Sequence, residues 1–293
     1  MQVWRAARLA VRNIVIAALV FVSTTVCAGS LSGDVTFDFE GRAGPSLPVR
    51  LFVPKAVESD TLIVIVLHGA SRDAERYYRD WRTEADKHGF VVVVPYFSRA
   101  DFPRSAHYNL GYVFEPATGE QRPPTSWTFA AIEPLFDAVV DRIGGQQTQY
   151  TLFGHSAGSQ FLHRFLYFVP AARVKRAIAA NAGWYTMPDF GVRYPYGLAE
   201  SGVTDDVLAG YFARDLVVLL GDADTVREDD DLRKSPEAEL QGPHRFDRGR
   251  TFYRVARARA EALGVDFNWR LQEVPGAGHS NAAMTPAAAL LVD

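Results

Sequence analysis

The chain has 293 residues, of which 48% are hydrophobic and 22% are charged. This composition excludes an intrinsically disordered chain, a collagen-like repeat and a coiled coil, and the length suits one large domain with a buried core. The formal net charge of -3 gives no reason to expect nucleic acid or an acidic membrane surface as a partner.

The N-terminal segment, residues 1–28, has the pattern of a signal peptide. Three arginines precede an apolar run at residues 14–22, and small residues lead up to Ala28. We therefore predict cleavage near Ala28 and export of a single domain, residues 29–293, to the periplasm or the cell exterior. The alternative is an uncleaved membrane anchor. Because the apolar run is short for a bilayer span, we expect no stable membrane span in the mature protein.

Cys27 is the only cysteine, and it lies before the predicted cleavage point. The mature protein would therefore contain no cysteine, which excludes a disulfide framework, a thiolate nucleophile and cysteine metal ligands. The fold would then depend on its hydrophobic core alone.

Short apolar strands alternate with helical patterns along residues 29–293, which predicts a mostly parallel sheet covered by helices. The continuous β-branched run at residues 61–67 is typical of a strand buried on both faces. Two segments rich in Pro, Gly and aromatic residues, 96–124 and 183–202, are predicted to be loops, the second of them a small cap or lid. The predicted strands are 35–39, 48–53, 61–67, 90–94, 150–153, 174–180, 216–220 and 267–274, with the first two in an edge hairpin. The predicted helices are 74–87, 127–142, 157–168, 248–263 and 285–291.

The sequence Gly154-His155-Ser156-Ala157-Gly158 stands between a predicted strand and a predicted helix. The pattern G-x-S-x-G alone is weak, but a sharp strand-to-helix turn holds its central serine in strained backbone, with the hydroxyl clear of the sheet. The alternative is a tight turn with a structural serine. We predict that Ser156 is a nucleophile.

A serine hydroxyl needs a base to take its proton and a carboxylate to orient that base. His279 follows the last predicted strand on a loop of small residues and is the favoured base, with His244 as the alternative. Asp224 is the favoured acid because it follows the strand at 216–220 and lies further into the loop than Asp222, the other candidate.

A tetrahedral intermediate needs two backbone N–H donors directed at its oxyanion. Ala157, next to the nucleophile, is predicted to supply one donor, and Ala70 in His68-Gly69-Ala70 to supply the other. His68 is predicted to orient this loop by a hydrogen bond beside the substrate pocket, with a role as a second base as the alternative. Trp184 and Tyr185 follow the sixth predicted strand, and they either line a substrate pocket or pack within the cap.

The motifs H-G-A, G-H-S-A-G, G-D-A-D and G-A-G-H, in this order, resemble those of the α/β-hydrolase superfamily over residues 49–284. Within it, the chain is similar to secreted esterases and polyhydroxyalkanoate-depolymerase-like serine hydrolases. The resemblance implies an α/β-hydrolase fold with a mostly parallel sheet of about eight strands, helices on both faces and a small cap. It also implies a triad of Ser156, His279 and Asp224.

The predicted activity is hydrolysis of a small-molecule or oligomeric carboxylic ester through an acyl-enzyme, with no metal and no cofactor. A peptidase or thioesterase on the same fold is one alternative, because the same triad opens amides and thioesters. A non-catalytic binding protein that kept the fold is another. The sequence contains no G-x-G-x-x-G after a strand, no Walker lysine motif and no H-E-x-x-H, so dinucleotide, nucleotide and zinc-protease chemistry are set aside.

Overall fold

The computed structural model describes residues 31–293, except residues 42 and 59. The signal peptide and its cleavage near Ala28 lie outside the described residues and stay predictions. Among the helices of the described part, none combines the length and the apolar character that a membrane crossing requires.

The described residues contain one sheet of eight strands, in the spatial order first, second, fourth, third, fifth, sixth, seventh, eighth along the chain. The first two strands form an antiparallel hairpin at one edge, the second is antiparallel to the fourth, and the other neighbours are parallel. The mostly parallel sheet and its edge hairpin are therefore confirmed. The strands are β1 (Gly33–Phe39), β2 (Leu47–Val53), β3 (Ile63–Leu67), β4 (Val91–Pro95), β5 (Tyr150–His155), β6 (Val174–Ala180), β7 (Leu216–Gly221) and β8 (Arg270–Val274).

The central strands are apolar throughout because both of their faces are covered. Along β3, Ile63 and Ile65 pack into one hydrophobic cluster, whereas Val64 and Val66 pack into a second. Successive side chains of a strand point to opposite faces. The sheet therefore lies between two cores.

Helices cover both faces of the sheet, as predicted. Trp81 of the first helix and Met284 of the last join the cluster that contains Val64, whereas Phe161 and Phe252 join the cluster on the other face. The helices are α1 (Ala74–His88), α2 (Arg104–His107), α3 (Ile132–Ile143), α4 (Ala157–Phe168), α5 (Asp205–Phe212), α6 (Pro236–Glu239), α7 (Arg245–Leu263) and α8 (Asn281–Ala289).

Helices α2, α5 and α6 were not predicted, and α3, α7 and α8 begin at other residues than predicted. Helix α5 was not predicted, although the Thr204 side chain caps it by accepting from the Val207 N–H and two acidic residues follow in its first turn. Helix α3 begins at Ile132 rather than 127 because 3₁₀ turns occupy the preceding residues. Helix α8 begins at Asn281 rather than 285 because Ser280 supplies its N-cap.

Two glycines allow α4 to lie unusually close to the sheet. A Cβ atom on Gly158 would lie 2.0 Å from the carbonyl oxygen of Leu67, and one on Gly154 would lie 2.3 Å from the carbonyl oxygen of Gly158. These neighbours are backbone atoms, which cannot rotate away as a side chain can. The first turn of α4 is thereby held against the ends of β3 and β5.

We expect Gly158→Ala to lower the free energy of unfolding by about 3 kcal/mol, because an added methyl group forces packed backbone apart. Gly210→Ala is the matched control, since a Cβ atom at Gly210 in α5 meets nothing within 4 Å. The control should gain about 0.5 kcal/mol from helix propensity. Urea denaturation followed by circular dichroism measures both variants, and a Gly158→Ala variant as stable as the wild type would contradict the close approach.

Candidate active site

Ser156 occupies the turn between β5 and α4 in a strained backbone conformation. Its φ of 58° and ψ of -118° lie outside the regions that residues with a side chain normally adopt. Its backbone N–H donates to the carbonyl oxygen of Ala180 at 3.0 Å, which ties the turn to the end of β6. The turn has the form predicted for a nucleophile in a G-x-S-x-G motif.

The structure brings Ser156, His279 and Asp224 together from three separate loops. The Oγ atom of Ser156 lies 3.0 Å from Nε2 of His279, and Nδ1 of the same ring lies 2.8 Å from Oδ2 of Asp224. A carboxylate at Nδ1 favours the tautomer that carries its proton there, so Nε2 is free to accept the proton of the serine hydroxyl. The array therefore has the geometry of a Ser-His-Asp triad.

The two alternatives to this array lie elsewhere. Asp222 is exposed, and its Oδ1 accepts the Gly276 N–H at 2.7 Å, so it links the loops after β7 and β8 without contacting the imidazole. His244 is the N-cap of α7, where its Nδ1 accepts the Asp247 N–H. Asp224 is only 2% exposed.

Asp224 has a cationic neighbour that the sequence analysis did not single out. Nη1 of Arg245, at the start of α7, lies 3.6 Å from Oδ1 of Asp224 and 2.7 Å from Oδ2 of Asp229. Arg245 is as deeply buried as Asp224. A buried carboxylate is costly without such compensation. Asp229, the first of three successive aspartates, is the second carboxylate partner of this arginine.

Asn181 connects the loops that carry the acid and the base. Its Oδ1 accepts the Gly221 N–H at 2.8 Å at the end of β7, and its Nδ2 donates to the carbonyl oxygen of Gly278 at 3.2 Å, one residue before His279. Its φ of 45° is one that asparagine tolerates better than most residues. The sequence analysis did not single out Asn181, although a polar residue directly after a buried strand is a signal for a residue at the active-site edge of the sheet.

A second histidine, His155, lies beside His279, with ring centroids 4.8 Å apart. Nδ1 of His155 hydrogen-bonds the buried Tyr77 hydroxyl at 2.8 Å. Burial, aided by the positive charge of neighbouring groups, lowers the pKa of His155 well below its usual range. This ring therefore stays neutral and adds no positive charge next to His279.

The two predicted oxyanion donors flank the serine. Ala157 is the first residue of α4, where helical N–H groups have no acceptor in the preceding turn, and Ala70 lines the same cavity as Ser156. Among the described residues, neither N–H has a backbone acceptor. Gly69 leaves room beside them, since a Cβ atom there would lie 2.7 Å from the buried Tyr77 hydroxyl, which would have to move.

His68 orients the loop that carries Ala70, as predicted, but it lies outside the cavity. Its Nε2 accepts the Phe97 N–H at 3.1 Å, so Nδ1 carries the proton and donates to the carbonyl oxygen of Gly69 at 3.2 Å. Complete burial lowers the pKa of His68 to about 3. Both ring nitrogens of His68 are already hydrogen-bonded to backbone groups and the ring lies outside the cavity, so His68 does not act as a second base.

The cavity at Ser156 has a volume of about 320 Å³. Arg76, Gln160 and Arg245 line it together with the serine and His279. A larger cavity of about 510 Å³ lies between the loops at 106–119 and 193–200 and shares no lining residue with it. Within the part of the chain that the structure describes, no cluster of His, Cys, Asp and Glu side chains has the arrangement of a metal site.

Of the two alternatives for Trp184 and Tyr185, the structure shows packing within the cap, and neither these residues nor His68 lines the cavity at Ser156. Both aromatic side chains are buried inside the cap. The Trp184 ring packs 4.6 Å from the Tyr196 ring, and the Tyr185 ring stacks on Phe252 at 4.4 Å. The rings of Trp184 and Tyr185 are packed in the protein interior because the cap needs apolar surface to pack on the sheet.

Comparison with known proteins identifies the family. No protein-family model and no curated protein matches the chain. Poly(aspartic acid) hydrolase-1 from Sphingomonas sp. KT-1 is 42% identical with a TM-score of 0.87, and the match covers 89% of this chain and 98% of that one. LpqC, a poly(3-hydroxybutyrate) depolymerase from Bordetella parapertussis, is 35% identical with a TM-score of 0.83, covering 89% of each chain. The S-formylglutathione hydrolase FrmB from Staphylococcus aureus, 13% identical with a TM-score of 0.55, shares the fold.

The fold and the Ser-His-Asp geometry define an enzyme of the α/β-hydrolase class. The two relatives at 42% and 35% identity extend over nearly the whole described chain. The chain belongs to the α/β-hydrolase serine esterase family, and it is a carboxylic ester hydrolase.

We expect Asp224→Asn to lower kcat for ester substrates by about 10⁴-fold, because an amide opposite Nδ1 stabilises the wrong imidazole tautomer. Asp222→Asn is the matched control: it removes a charge from the same loop but keeps an oxygen for the Gly276 N–H. Steady-state turnover of p-nitrophenyl acetate measures both variants. A larger loss of kcat in Asp222→Asn than in Asp224→Asn would contradict the assignment of Asp224 as the triad acid.

Proposed function

We propose that this enzyme cleaves carboxylic esters through an acyl-enzyme formed on Ser156, with His279 as the general base and Asp224 as the carboxylate that orients it. The observation that carries the proposal is the pair of short contacts along this array, 3.0 Å and 2.8 Å, at the wall of a solvent-accessible cavity. The relative at 35% identity, a poly(3-hydroxybutyrate) depolymerase, supports it, because that polymer is a polyester.

In the first half-reaction, Oγ of Ser156 attacks the ester carbonyl while Nε2 of His279 takes its proton. The backbone N–H groups of Ala157 and Ala70 stabilise the oxyanion of the tetrahedral intermediate. His279 then returns the proton to the leaving alcohol, and the acyl group stays on Ser156. In the second half-reaction, water attacks the acyl-enzyme with His279 again as base, which releases the acid and restores the serine.

The neighbours of the array favour this sequence of proton transfers. The imidazolium that forms on His279 faces the buried carboxylate of Asp224, whereas the adjacent His155 stays neutral. Opposite charge next to the imidazolium stabilises it, and a second cation would destabilise it. Arg245, with Nη1 3.6 Å from Oδ1 of Asp224, compensates the buried charge of the acid.

We further propose that the enzyme is exported, with its signal peptide cleaved near Ala28. The support is the sequence pattern of residues 1–28: a positive start, an apolar run and small residues before the cleavage point. An exported enzyme would meet ester substrates in the periplasm or outside the cell.

A second candidate activity is hydrolysis of amide bonds in an acidic polymer. It is favoured by the name of the relative at 42% identity, a poly(aspartic acid) hydrolase, since that polymer is a polyamide with a carboxylate on every unit. The cavity wall carries the half-exposed guanidinium group of Arg76, which attracts carboxylates. The same triad opens amides as well as esters.

We expect Ser156→Ala to lower kcat for p-nitrophenyl butyrate by about 10⁶-fold and to abolish labelling by a fluorophosphonate, because the nucleophile is removed. Ser159→Ala is the matched control: this buried hydroxyl has no hydrogen-bond partner among the described residues, so its loss should leave labelling and turnover intact. Intact-mass analysis locates the adduct. Fluorophosphonate labelling of folded Ser156→Ala would refute the assignment of the nucleophile.

The two candidate activities differ in the bond that is broken. We expect residues 29–293 to release p-nitrophenol from p-nitrophenyl butyrate, and the second activity additionally requires release of primary amines from poly(aspartic acid). Amide cleavage of the polymer should weaken as salt is raised, because Arg76, with a half-exposed side chain, would be screened. Ester turnover without any amine release would restrict the enzyme to esters.

A further inference from the structure

Gln160 is placed to contact the substrate. It lies one helical turn after Ser156 on α4, its backbone N–H donates to the Ser156 carbonyl oxygen at 3.1 Å, and both residues line the same cavity. Ser156 is the non-helical N-cap of α4, so the shared cavity, rather than helical spacing, is what brings the two side chains to one place. The Gln160 carboxamide is therefore within reach of a group a few bonds from the carbon that Ser156 attacks.

The orientation of the Gln160 carboxamide follows from its partners. Its Oε1 accepts from Nδ2 of Asn109 at 2.9 Å and from Nη1 of Arg164 at 3.3 Å. A guanidinium group only donates hydrogen bonds, so the amide atom that faces Arg164 must be the oxygen. Nη1 of Arg164 also donates to the carbonyl oxygens of Gln160 and Asn109, at 3.0 Å and 3.1 Å, which holds the three residues together.

The amide nitrogen of Gln160 consequently points the other way. Among the described residues it has no acceptor, and it does not belong to their buried, unpartnered polar atoms. It lies 3.1 Å from the position that a Cβ atom of Gly183 would take, and Gly183 lines the same cavity. A larger residue at 183 would crowd this nitrogen, whereas glycine leaves it open to a ligand.

Arg164 strengthens this donor. It is fully buried, its Nε donates to Oγ1 of Thr186 at 2.8 Å, and its guanidinium lies over the Trp184 ring at 4.2 Å. Burial lowers the pKa of Arg164 to about 10, which leaves the group charged at neutral pH. A positive charge behind the carboxamide oxygen polarises the amide and makes its N–H groups better donors.

We propose that Nε2 of Gln160 donates a hydrogen bond to an oxygen on the acyl part of the substrate, which makes Gln160 a specificity-determining residue. The inference rests on the proposed esterase activity and deepens it. The leaving group must lie beside His279, because this residue returns the proton to it. Gln160 comes instead from α4 and neighbours Gly183, so it faces the acyl chain.

The substrate class that follows is an ester whose acyl chain carries a carbonyl, hydroxyl or carboxylate oxygen a few bonds from the scissile carbonyl. A plain hydrocarbon chain at this place would leave the amide N–H groups of Gln160 without a partner. Sites built to hydrogen-bond a substrate discriminate strongly against an analogue that lacks the partner atom. Preference for an oxygen-bearing acyl chain is thus a property of one side chain, separate from the array that breaks the bond.

The test compares p-nitrophenyl 4-oxopentanoate with p-nitrophenyl pentanoate, which differ by one carbonyl group. We expect the ratio of their kcat/KM values to fall about tenfold in Gln160→Glu and in Gln160→Met, the loss of one hydrogen bond. Gln160→Glu keeps an oxygen for Asn109 and Arg164 and replaces only the donor, so it decides the question if Gln160→Met fails to fold. Ser159→Ala is the control, and it should keep the wild-type ratio.

Two outcomes would overturn the inference in different ways. Turnover of both esters with the same ratio in the wild type and in Gln160→Glu would refute the role of Gln160 and leave the esterase activity standing. No turnover of either ester by the folded wild type would refute the esterase activity and this inference with it. Thermal unfolding midpoints, measured on the same samples, show that each variant is folded.

Discussion

The close approach of α4 to the sheet is the constraint on which the active-site geometry depends. Gly154 and Gly158 let backbone meet backbone at the ends of β3 and β5, and the turn between them forces Ser156 to a positive φ. This one contact places the hydroxyl and presents the first N–H groups of the helix to the same space. It also sets Gln160, one turn later, along the wall of that cavity. Backbone at this spacing has no room to adjust, which is why the turn is rigid enough to hold a reacting atom.

Buried charge surrounds this turn, and the protein compensates each group differently. Asp224 and Arg245 are both almost completely buried and face one another, with Asp229 as the second partner of the arginine. Among the described residues no carboxylate pairs with Arg164, which is held by carbonyl oxygens, a hydroxyl and the Trp184 ring. Arg245 thus balances the charge of Asp224, whereas the positive charge of Arg164 is left without a balancing carboxylate behind the cavity. The low dielectric of the interior strengthens both effects.

Much of the site could be predicted because the chemistry is local. Ser156 sits in a motif whose turn forms from neighbouring residues, and His279 and Asp224 each follow a strand whose carboxyl end must lie at one edge of a parallel sheet. The pocket residues could not be predicted in this way. Trp184 and Tyr185 follow a strand end as well, but whether an aromatic ring faces a cavity or the cap depends on what packs above it.

The sequence by itself determined the fold class, the strand and helix order, and the serine, histidine and acid that chain order allows. Hydrophobic periodicity and turn chemistry act over a few residues, so they can be read along the chain. Only the tertiary structure decided between Asp222 and Asp224, excluded His68 from the cavity, and showed that Arg164 donates a hydrogen bond to the Gln160 carboxamide. The first two outcomes depend on hydrogen bonds between residues far apart in the chain, and the third depends on Asn109 and Thr186, which hold Gln160 and Arg164 from other loops. Such contacts exist only once the loops have closed over the sheet, and no local pattern encodes them.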